Sequence, residues 1–356
     1  MPEAKPHLAD LYRTNPHDHS RQGFLRLDMN EGVPGLPEDL VQAVWAGTGA
    51  RYLAAYPEYE ALQEKIARHN GVSPENILLS NGSDGAIKYL FDAYVRAGDQ
   101  VLLTDPTFAM YPVYCRMFDA RPLVLPCRED LSFAGDDFRQ QLSGDIRLAV
   151  VVNPNNPTGY AFPPDELLAL IREAGKRDVL LVVDEAYFYF YPETVIHEIG
   201  RGDNLVVLRT FSKLCGLATA RLGYAAASPA IIDNLRKVRP TYDVNGLAVA
   251  LAEKLLDNPQ VIQDLIKGTL GGKEYLVGQL REAGIEHRAG QANFVLIKCQ
   301  GRAPELAAKL KDEKILVGYG FQNPYLHDYL RVTVGRREAM EIFWEKFVGL
   351  WHSLNG

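Results

Sequence analysis

The chain has 356 residues and a net charge of −7 at neutral pH, with 47% hydrophobic and 23% charged residues. This length predicts two domains, and the composition is typical of soluble globular enzymes. No basic block or stripe is present, which argues against nucleic acid as a partner. No apolar run is long enough to span a membrane, so we expect no membrane partner either.

The N-terminus lacks the apolar core of a signal peptide, and the four cysteines form no CxxC pair. Both features predict a cytoplasmic protein with reduced thiols. No cysteine lies beside a histidine at the spacing of metal ligands, so the sequence predicts no metal site.

From residue 76 onward, short apolar runs that predict strands, the first at 76–80 and 101–104, alternate with helical patterns, the first at 86–97. The runs at 147–152, 179–184 and 205–209 are continuously apolar rather than alternating, which is typical of strands buried on both faces of a mostly parallel sheet. Long helical patterns at 245–256 and 259–283 then predict a smaller α+β domain. We therefore predict an α/β protein with an N-terminal arm at 1–28, a large domain at 29–243 and a small domain at 244–356.

Polar and glycine-rich loops follow the ends of these predicted strands, where ligands bind in doubly wound sheets. The sequence NGSDG at 81–85 opens a helical pattern, and its backbone N–H groups could hold an anion. A plain tight turn with a helix cap is the other interpretation of this stretch. The loop NPNNPTG at 153–159 presents amide side chains from a rigid backbone.

Two charged residues lie at the ends of buried runs. Asp184 ends an apolar strand, and a carboxylate at that depth needs a cationic partner. Lys213 lies in TFSKLCGLATARLGYA, with Arg221 eight positions later, and a desolvated lysine beside a second cation is a nucleophile toward carbonyls. A solvated surface lysine is the alternative interpretation. Together with the anion loop and the amides, these residues fit pyridoxal phosphate.

The motifs LDMNEG (27–32), NPNNPTG, DEAY (184–187), TFSKLCGLATARLGYA and YLRVTVGRRE (329–338) resemble those of fold-type I pyridoxal-phosphate aminotransferases, and among them the histidinol-phosphate aminotransferase group. The resemblance implies a large domain with a mostly parallel sheet between helices and a smaller α+β domain. It also implies a homodimeric enzyme of histidine biosynthesis. This enzyme would convert histidinol phosphate and 2-oxoglutarate into imidazole-acetol phosphate and glutamate.

The resemblance also implies a role for each matching residue. Lys213 would bond to the cofactor and move the substrate proton, Asp184 would keep the pyridine nitrogen protonated, and Tyr187 would contact the phenolic oxygen. Phe108 would stack on the ring, and Arg331 would bind a substrate carboxylate or phosphate, with Asn30 and Glu31 closing over the substrate. The remaining cofactor contacts would come from Gly82, Ser83, Asp84, Asn156, Thr210, Ser212, Arg221 and, across a dimer, Tyr56 of the partner subunit.

The sequence departs from the histidinol-phosphate group at Gly318, where a second arginine is usual, and Arg336 and Arg337 are weaker candidates for its replacement. An aromatic or other amino-acid aminotransferase, or a decarboxylase of a phosphorylated amino acid, therefore stays an alternative. A regulator that binds the cofactor without turnover is a further alternative, but too few residues precede Leu27 for a helix-turn-helix module.

Overall fold

The computed structural model describes residues 5–8, 11, 20–33 and 35–355, so part of the predicted arm at 1–28 lies outside the described residues. The strands are β1 (Leu25–Leu27), β2 (Ile77–Asn81), β3 (Gln100–Asp105), β4 (Arg121–Pro126), β5 (Ile146–Val152), β6 (Leu180–Asp184), β7 (Leu205–Thr210), β8 (Leu222–Ala227), β9 (His287–Arg288), β10 (Phe294–Lys298), β11 (Ile315–Val317) and β12 (Tyr329–Thr333). The α-helices are α1 (Glu38–Gly47), α2 (Ala50–Leu53), α3 (Glu60–Asn70), α4 (Gly82–Tyr94), α5 (Met110–Met117), α6 (Gly135–Gln141), α7 (Pro164–Lys176), α8 (Pro229–Val238), α9 (Gly246–Leu256), α10 (Pro259–Glu282), α11 (Ala303–Asp312) and α12 (Arg337–Asn355).

A seven-stranded sheet of order β2-β8-β7-β6-β5-β3-β4 forms the centre of the larger part. All neighbouring strands are parallel except β8, which runs antiparallel to both β2 and β7. Both faces of the sheet are buried: Leu181 and Val183 of β6 pack into one core cluster, and Leu180 and Val182 into the other. This architecture confirms the predicted α/β fold and explains why these runs are continuously apolar.

Two strands of this sheet were not predicted, and both lack the apolar signature. β4 is an edge strand that contains Pro122 and Pro126, which is tolerated only where a backbone N–H is not needed. β8 has the sequence LGYAAA, whose small residues have low strand propensity. A Cβ on Gly223 of β8 would lie 2.4 Å from the backbone nitrogen of Ser83, so this strand must be small where α4 begins.

A second core forms around β10, which pairs antiparallel with β9 and β12, while β1 pairs parallel with β11. Leu27 of β1, Leu276 of α10 and Phe343 of α12 are fully buried in this core. The buried residues of α9, such as Ala248, pack instead with the sheet of the larger part. The domain limits at 28/29 and 243/244 stay a prediction. Among the described residues, no helix has both the length and the apolar character that crossing a membrane requires.

Candidate active site

A cavity of about 190 Å³ opens at the carboxyl ends of β5, β6 and β7, next to the N-terminus of α4. Strands that are distant in sequence end together here because the parallel sheet aligns their carboxyl ends. The cavity wall includes ten of the residues that the resemblance points to. These are Ser83, Asp84, Phe108, Asn156, Asp184, Tyr187, Thr210, Ser212, Lys213 and Arg221.

Asp184 lies at the bottom of the cavity, at the end of β6, and is buried. Its carboxylate accepts hydrogen bonds from the Tyr111 hydroxyl at 2.8 Å and from the Ala186 backbone N–H at 3.1 Å. Burial raises the pKa of Asp184 to about 6, although both hydrogen bonds oppose the rise. Within the described part of the chain, no arginine or lysine forms an ion pair with this carboxylate, so it can serve a cationic group of a ligand.

Lys213 follows β7 and projects its amine into the same cavity, where it donates to the main-chain oxygen of Met29 at 3.1 Å. Burial, and next the charge of Arg331, lower the pKa of Lys213 to about 8. A substantial fraction of the amine is therefore unprotonated near neutral to mildly alkaline pH. This is the form that attacks a carbonyl carbon.

An anion cradle forms where α4 begins. Asn81 precedes the helix and makes no side-chain capping hydrogen bond, and its amide nitrogen donates to the main-chain oxygen of Asp243. Arg221 closes the cradle: its Nη2 would be 2.6 Å from a Cβ placed on Gly82, whose φ of +67° already requires glycine. Free helix N–H groups next to a guanidinium form a site for a phosphate.

Two hydroxyls complete the cradle at the end of β7. Thr210 Oγ1 donates to Ser212 Oγ at 3.0 Å, and Arg221 Nη1 lies 3.5 Å from the same Ser212 oxygen. The predicted phosphate residues are thus brought together. The predicted turn at 81–85 is the first turn of α4, which begins at Gly82 rather than at residue 86.

The wall opposite the cradle carries amide and phenol groups. Asn156 Oδ1 accepts from Arg331 Nη1 at 2.5 Å, which leaves the amide nitrogen of Asn156 free to donate into the cavity. The Tyr187 hydroxyl accepts from Asn30 Nδ2 at 2.9 Å, and burial raises the pKa of Tyr187. Phe108 lines the cavity and packs edge-on against Tyr111.

Arg331 projects from β12 toward the mouth of the cavity, between the rings of Phe294 and Phe321 at 5.6 and 5.7 Å from its guanidinium carbon. Its Nη2 donates to the main-chain oxygen of Asp28 at 2.6 Å. Glu31, predicted to contact substrate, is paired with Arg21. Arg331, predicted to bind an anionic group of the substrate, lies close enough to Lys213 for its charge to lower the pKa of the lysine.

Gly318 pairs with Arg331 through two backbone hydrogen bonds, and a Cβ on Gly318 would lie 3.4 Å from Arg331 Nε. An arginine at this position would thus lie beside Arg331. With Gly318 there, this second cation is absent. Arg336 packs against Gly268 of α10, and Arg337 bonds Glu341, so neither lines the cavity.

Tyr56 lies outside the cavity, with 74% of its surface exposed, and its ring stacks on that of Tyr242 at 4.1 Å between centroids. Its predicted role toward a second subunit stays a prediction. Among the described residues, no group of three or more His, Cys, Asp or Glu side chains is arranged to hold a metal ion.

Sequence reasoning missed three residues of this site. Tyr111, which bonds Asp184, is three positions after Phe108 at the start of α5, and that spacing was a usable signal. Met29 takes part through a main-chain oxygen, for which a sequence carries no signal. Arg21 precedes the LDMNEG motif, and only the tertiary structure shows that it reaches Glu31.

Residues 27–347 match the family model for aminotransferase class I and II. The chain belongs to this family. It is 34% identical over 325 residues to the histidinol-phosphate aminotransferase of Thermoanaerobacter pseudethanolicus, covering 90% of this chain and 91% of the relative. It is also 34% identical to histidinol-phosphate aminotransferase 1 of Carboxydothermus hydrogenoformans, covering 94% of each chain.

The crystal structure of histidinol-phosphate aminotransferase from Sinorhizobium meliloti, in complex with pyridoxal-5'-phosphate, has the same fold. The TM-score is 0.85 at 23% identity, covering 92% of this chain and 91% of that one. These comparisons confirm the predicted resemblance and the prediction of a pyridoxal-phosphate-dependent aminotransferase. The cavity fits this cofactor, since it offers a buried carboxylate that forms no ion pair with the residues described, a helix N-terminus without a side-chain cap beside Arg221, and a buried lysine.

Proposed function

We propose that this aminotransferase takes the amino group of histidinol phosphate and that 2-oxoglutarate and glutamate form its second substrate pair. The observation that carries the choice of substrate is the 34% identity, over nine-tenths of both chains, to an enzyme named for that activity. The proposal places the enzyme in histidine biosynthesis.

Bound pyridoxal phosphate supplies an aldehyde that accepts the amino group and a protonated ring that stabilises negative charge at the substrate Cα. In the proposal, Asp184 holds the proton on the ring nitrogen, and Tyr111 and Ala186 hold Asp184 in place. Lys213 removes the proton from the substrate Cα, a step that its lowered pKa favours at neutral pH.

The other side chains bind and orient. Arg221, the first turn of α4 and the hydroxyls of Thr210 and Ser212 hold the phosphate, while Phe108 covers the ring. Asn156 and Tyr187 donate to the phenolic oxygen. Arg331 binds the anionic end of each substrate in turn, and its guanidinium fork suits both a carboxylate and a phosphate.

A homodimer is part of the proposal. Tyr52, Leu53, Tyr56 and Tyr242 are large exposed side chains. Tyr242 precedes Asp243, whose main-chain oxygen accepts from Asn81 at the cradle, and Tyr56, stacked on Tyr242, could reach the cofactor of the partner subunit. A cytoplasmic location is also proposed, in keeping with four buried, unpaired cysteines. Light scattering of the purified protein tests the dimer, and a monomeric mass contradicts it.

A half-reaction tests the choice of substrate. The cofactor-loaded protein is mixed separately with histidinol phosphate, phenylalanine and glutamate, and the absorbance change to the pyridoxamine form is followed. We expect rapid conversion by histidinol phosphate and by glutamate. Conversion by phenylalanine but not by histidinol phosphate would favour an aromatic amino-acid aminotransferase. Gly318, in place of the usual arginine, would then mark the change of substrate. Release of carbon dioxide from a phosphorylated amino acid would favour the decarboxylase.

A further inference from the structure

The segment at residues 28–31 supplies main-chain oxygens to two cations of the site, Arg331 and Lys213. The oxygen of Asp28 accepts from Arg331 Nη2 at 2.6 Å, and the oxygen of the next residue, Met29, accepts from Lys213 Nζ at 3.1 Å. Both cations are thereby oriented by backbone groups rather than by an acidic side chain. Their orientation depends on how firmly this short segment is held.

Asn30 anchors the middle of the segment. Its backbone nitrogen donates to Thr333 Oγ1 at 2.9 Å, and its oxygen accepts from Asn293 Nδ2 at 3.2 Å. Its side chain donates to the Tyr187 hydroxyl at 2.9 Å. Asn30 adopts a φ of +56°, a left-handed conformation that asparagine tolerates better than most residues.

Arg21 holds the two ends of the segment. Its Nη1 and Nη2 each donate to one carboxylate oxygen of Glu31 at 2.9 Å, and Nη2 also bonds the carboxylate of Asp28. The arginine is 8% exposed, so this pairing is shielded from water far more than a surface ion pair. One guanidinium fork therefore spans residues 28–31 from the first residue to the last.

We propose that Arg21 is a positioning residue of the substrate side: it holds Asp28 and Glu31 and thereby keeps the main-chain oxygens of residues 28 and 29 at Arg331 and Lys213. A four-residue segment outside any helix or sheet loses this order easily, because fixing each residue costs about 1–2 kcal/mol of backbone entropy. Without the clamp, Arg331 would keep its hydrogen bond to Asn156 but lose the one to Asp28, so the substrate would have to supply part of its ordering, which weakens substrate binding.

The charges of the clamp support the same role. Glu31 attracts the charge of Lys213 and raises its pKa, against the larger effect of burial. While both carboxylate oxygens of Glu31 are engaged by Arg21, this acid is kept from forming a direct ion pair with Lys213. The inference rests on the proposed site, but not on which amine is the donor.

Two measurements on Arg21→Met test the inference. The first is hydrogen–deuterium exchange of the backbone amides around residues 28–31 in the cofactor-loaded protein, and we expect exchange at least about tenfold faster than in the wild type. The second is steady-state kinetics with an amine that the wild type accepts. We expect KM for both substrates to rise about tenfold or more, with kcat changed less than about threefold, because the lost order affects binding first.

Arg201→Met is the control, since Arg201 Nη1 donates to both carboxylate oxygens of Glu198, at 2.7 and 2.9 Å, in an arginine–glutamate pair that lies on the surface. It should change neither exchange at residues 28–31 nor KM. Arg21→Lys keeps the charge without the fork, so we expect values between those of the wild type and Arg21→Met. If Arg21→Met does not fold, the lysine variant decides by the same two measurements.

Exchange and KM equal to those of the wild type would overturn the inference. So would a lower melting temperature with KM and exchange at residues 28–31 unchanged, because that result describes a merely structural ion pair. A wild type without turnover on any amine would contradict the proposed function instead. In that case the exchange experiment would still decide the role of Arg21.

Discussion

Arg331 Nη1 donates to Asn156 Oδ1 at 2.5 Å, and this contact joins the residue proposed to bind the substrate to one proposed to bind the cofactor. The two residues are 175 positions apart in the sequence. Because the amide oxygen of Asn156 faces the guanidinium, its amide nitrogen faces the cavity. In the proposed function, this one hydrogen bond would orient a donor for the cofactor and restrain a cation for the substrate.

Replacing Arg331 by alanine removes this cation. We expect KM for 2-oxoglutarate to rise by about 10- to 150-fold, since a hydrogen bond to a charged group contributes roughly 1.5–3 kcal/mol. Steady-state kinetics checks the value. Arg337→Ala is the control. Arg337 is exposed and forms an ion pair with Glu341, so its replacement should leave KM unchanged. An unchanged KM in Arg331→Ala would count against its role as the anion clamp.

Replacing Lys213 by alanine should abolish transfer while the cofactor still binds, because Arg221 and the α4 cradle are untouched. Loss of the group that moves the proton alone costs about 10²- to 10⁴-fold. Borohydride reduction followed by mass spectrometry should attach the cofactor covalently to the wild type and not to the variant. Lys298→Ala, at an exposed lysine paired with Glu286, should behave as the wild type. Full turnover by Lys213→Ala would remove the catalytic assignment.

The amine of Lys213 should become reactive at a lower pH than a surface lysine in the cofactor-free protein. Its pKa of about 8 means that labelling by a small acylating reagent rises with pH through about 8 and then levels off. Lys298 is the internal reference, because the carboxylate of Glu286 raises its pKa above 10.5. Peptide mass spectrometry measures both sites in one sample. Equal labelling profiles at the two lysines would refute the lowered pKa.

Asp184→Asn should make the cofactor-free protein more stable than the wild type at pH 7. The folded-state pKa is about 6 against an ordinary value of 3.8, so between these values the folded wild type binds more protons than the unfolded chain. Its stability therefore falls as pH rises through this window, by about 3 kcal/mol for a shift of about two units, whereas asparagine does not titrate.

Urea unfolding of both proteins at pH 4 and pH 7 measures this difference. The advantage of Asp184→Asn should be present at pH 7 and largely absent at pH 4. The same variant should lose transaminase activity, since asparagine cannot keep the ring nitrogen protonated. An advantage that is equal at both pH values would show that the carboxylate of Asp184 is not the cause.

Gly290 lies against Gly159 of the NPNNPTG loop, and a Cβ on Gly290 would be 2.4 Å from the oxygen of Gly159. The Gln291 backbone nitrogen donates to that same oxygen at 2.7 Å, and Lys273 bonds the oxygen of Gly290. Gly290→Ala must therefore move one of the two backbones, and we expect a loss of about 1–3 kcal/mol in the free energy of unfolding.

Gly278→Ala is the matched control for this prediction. Gly278 lies inside α10, and a Cβ there would have no atom within 4 Å. Alanine should stabilise the protein by roughly 0.5–1 kcal/mol, because glycine is a poor helix former. Thermal unfolding of both variants tests whether Gly290→Ala lowers the melting temperature and Gly278→Ala raises it. A stable Gly290→Ala would mean that the two loops do not need this close approach.

Local patterns in the sequence were sufficient for the fold class and for the strands with strong apolar signatures, because burial on both faces of a parallel sheet demands continuous apolar runs. They were insufficient for β8, whose residues are small because α4 and the sheet crowd it, a constraint that comes from distant residues. Strand β4 was not predicted because it contains two prolines, which usually argue against a strand. An edge strand tolerates them, and only the structure shows that β4 lies at the edge.

The motifs at the strand ends also predicted functional roles for Lys213, Asp184 and Arg221, because their types and spacing match the chemistry of the cofactor, and the structure brings the three to one cavity. Only the tertiary structure shows that Tyr111 bonds Asp184, that the main-chain oxygen of Met29 meets Lys213, and that Arg21 spans the segment at 28–31. These contacts join residues far apart in the chain or involve backbone atoms. They could not be predicted from local patterns, because they form only when all the elements around the cavity have folded into place.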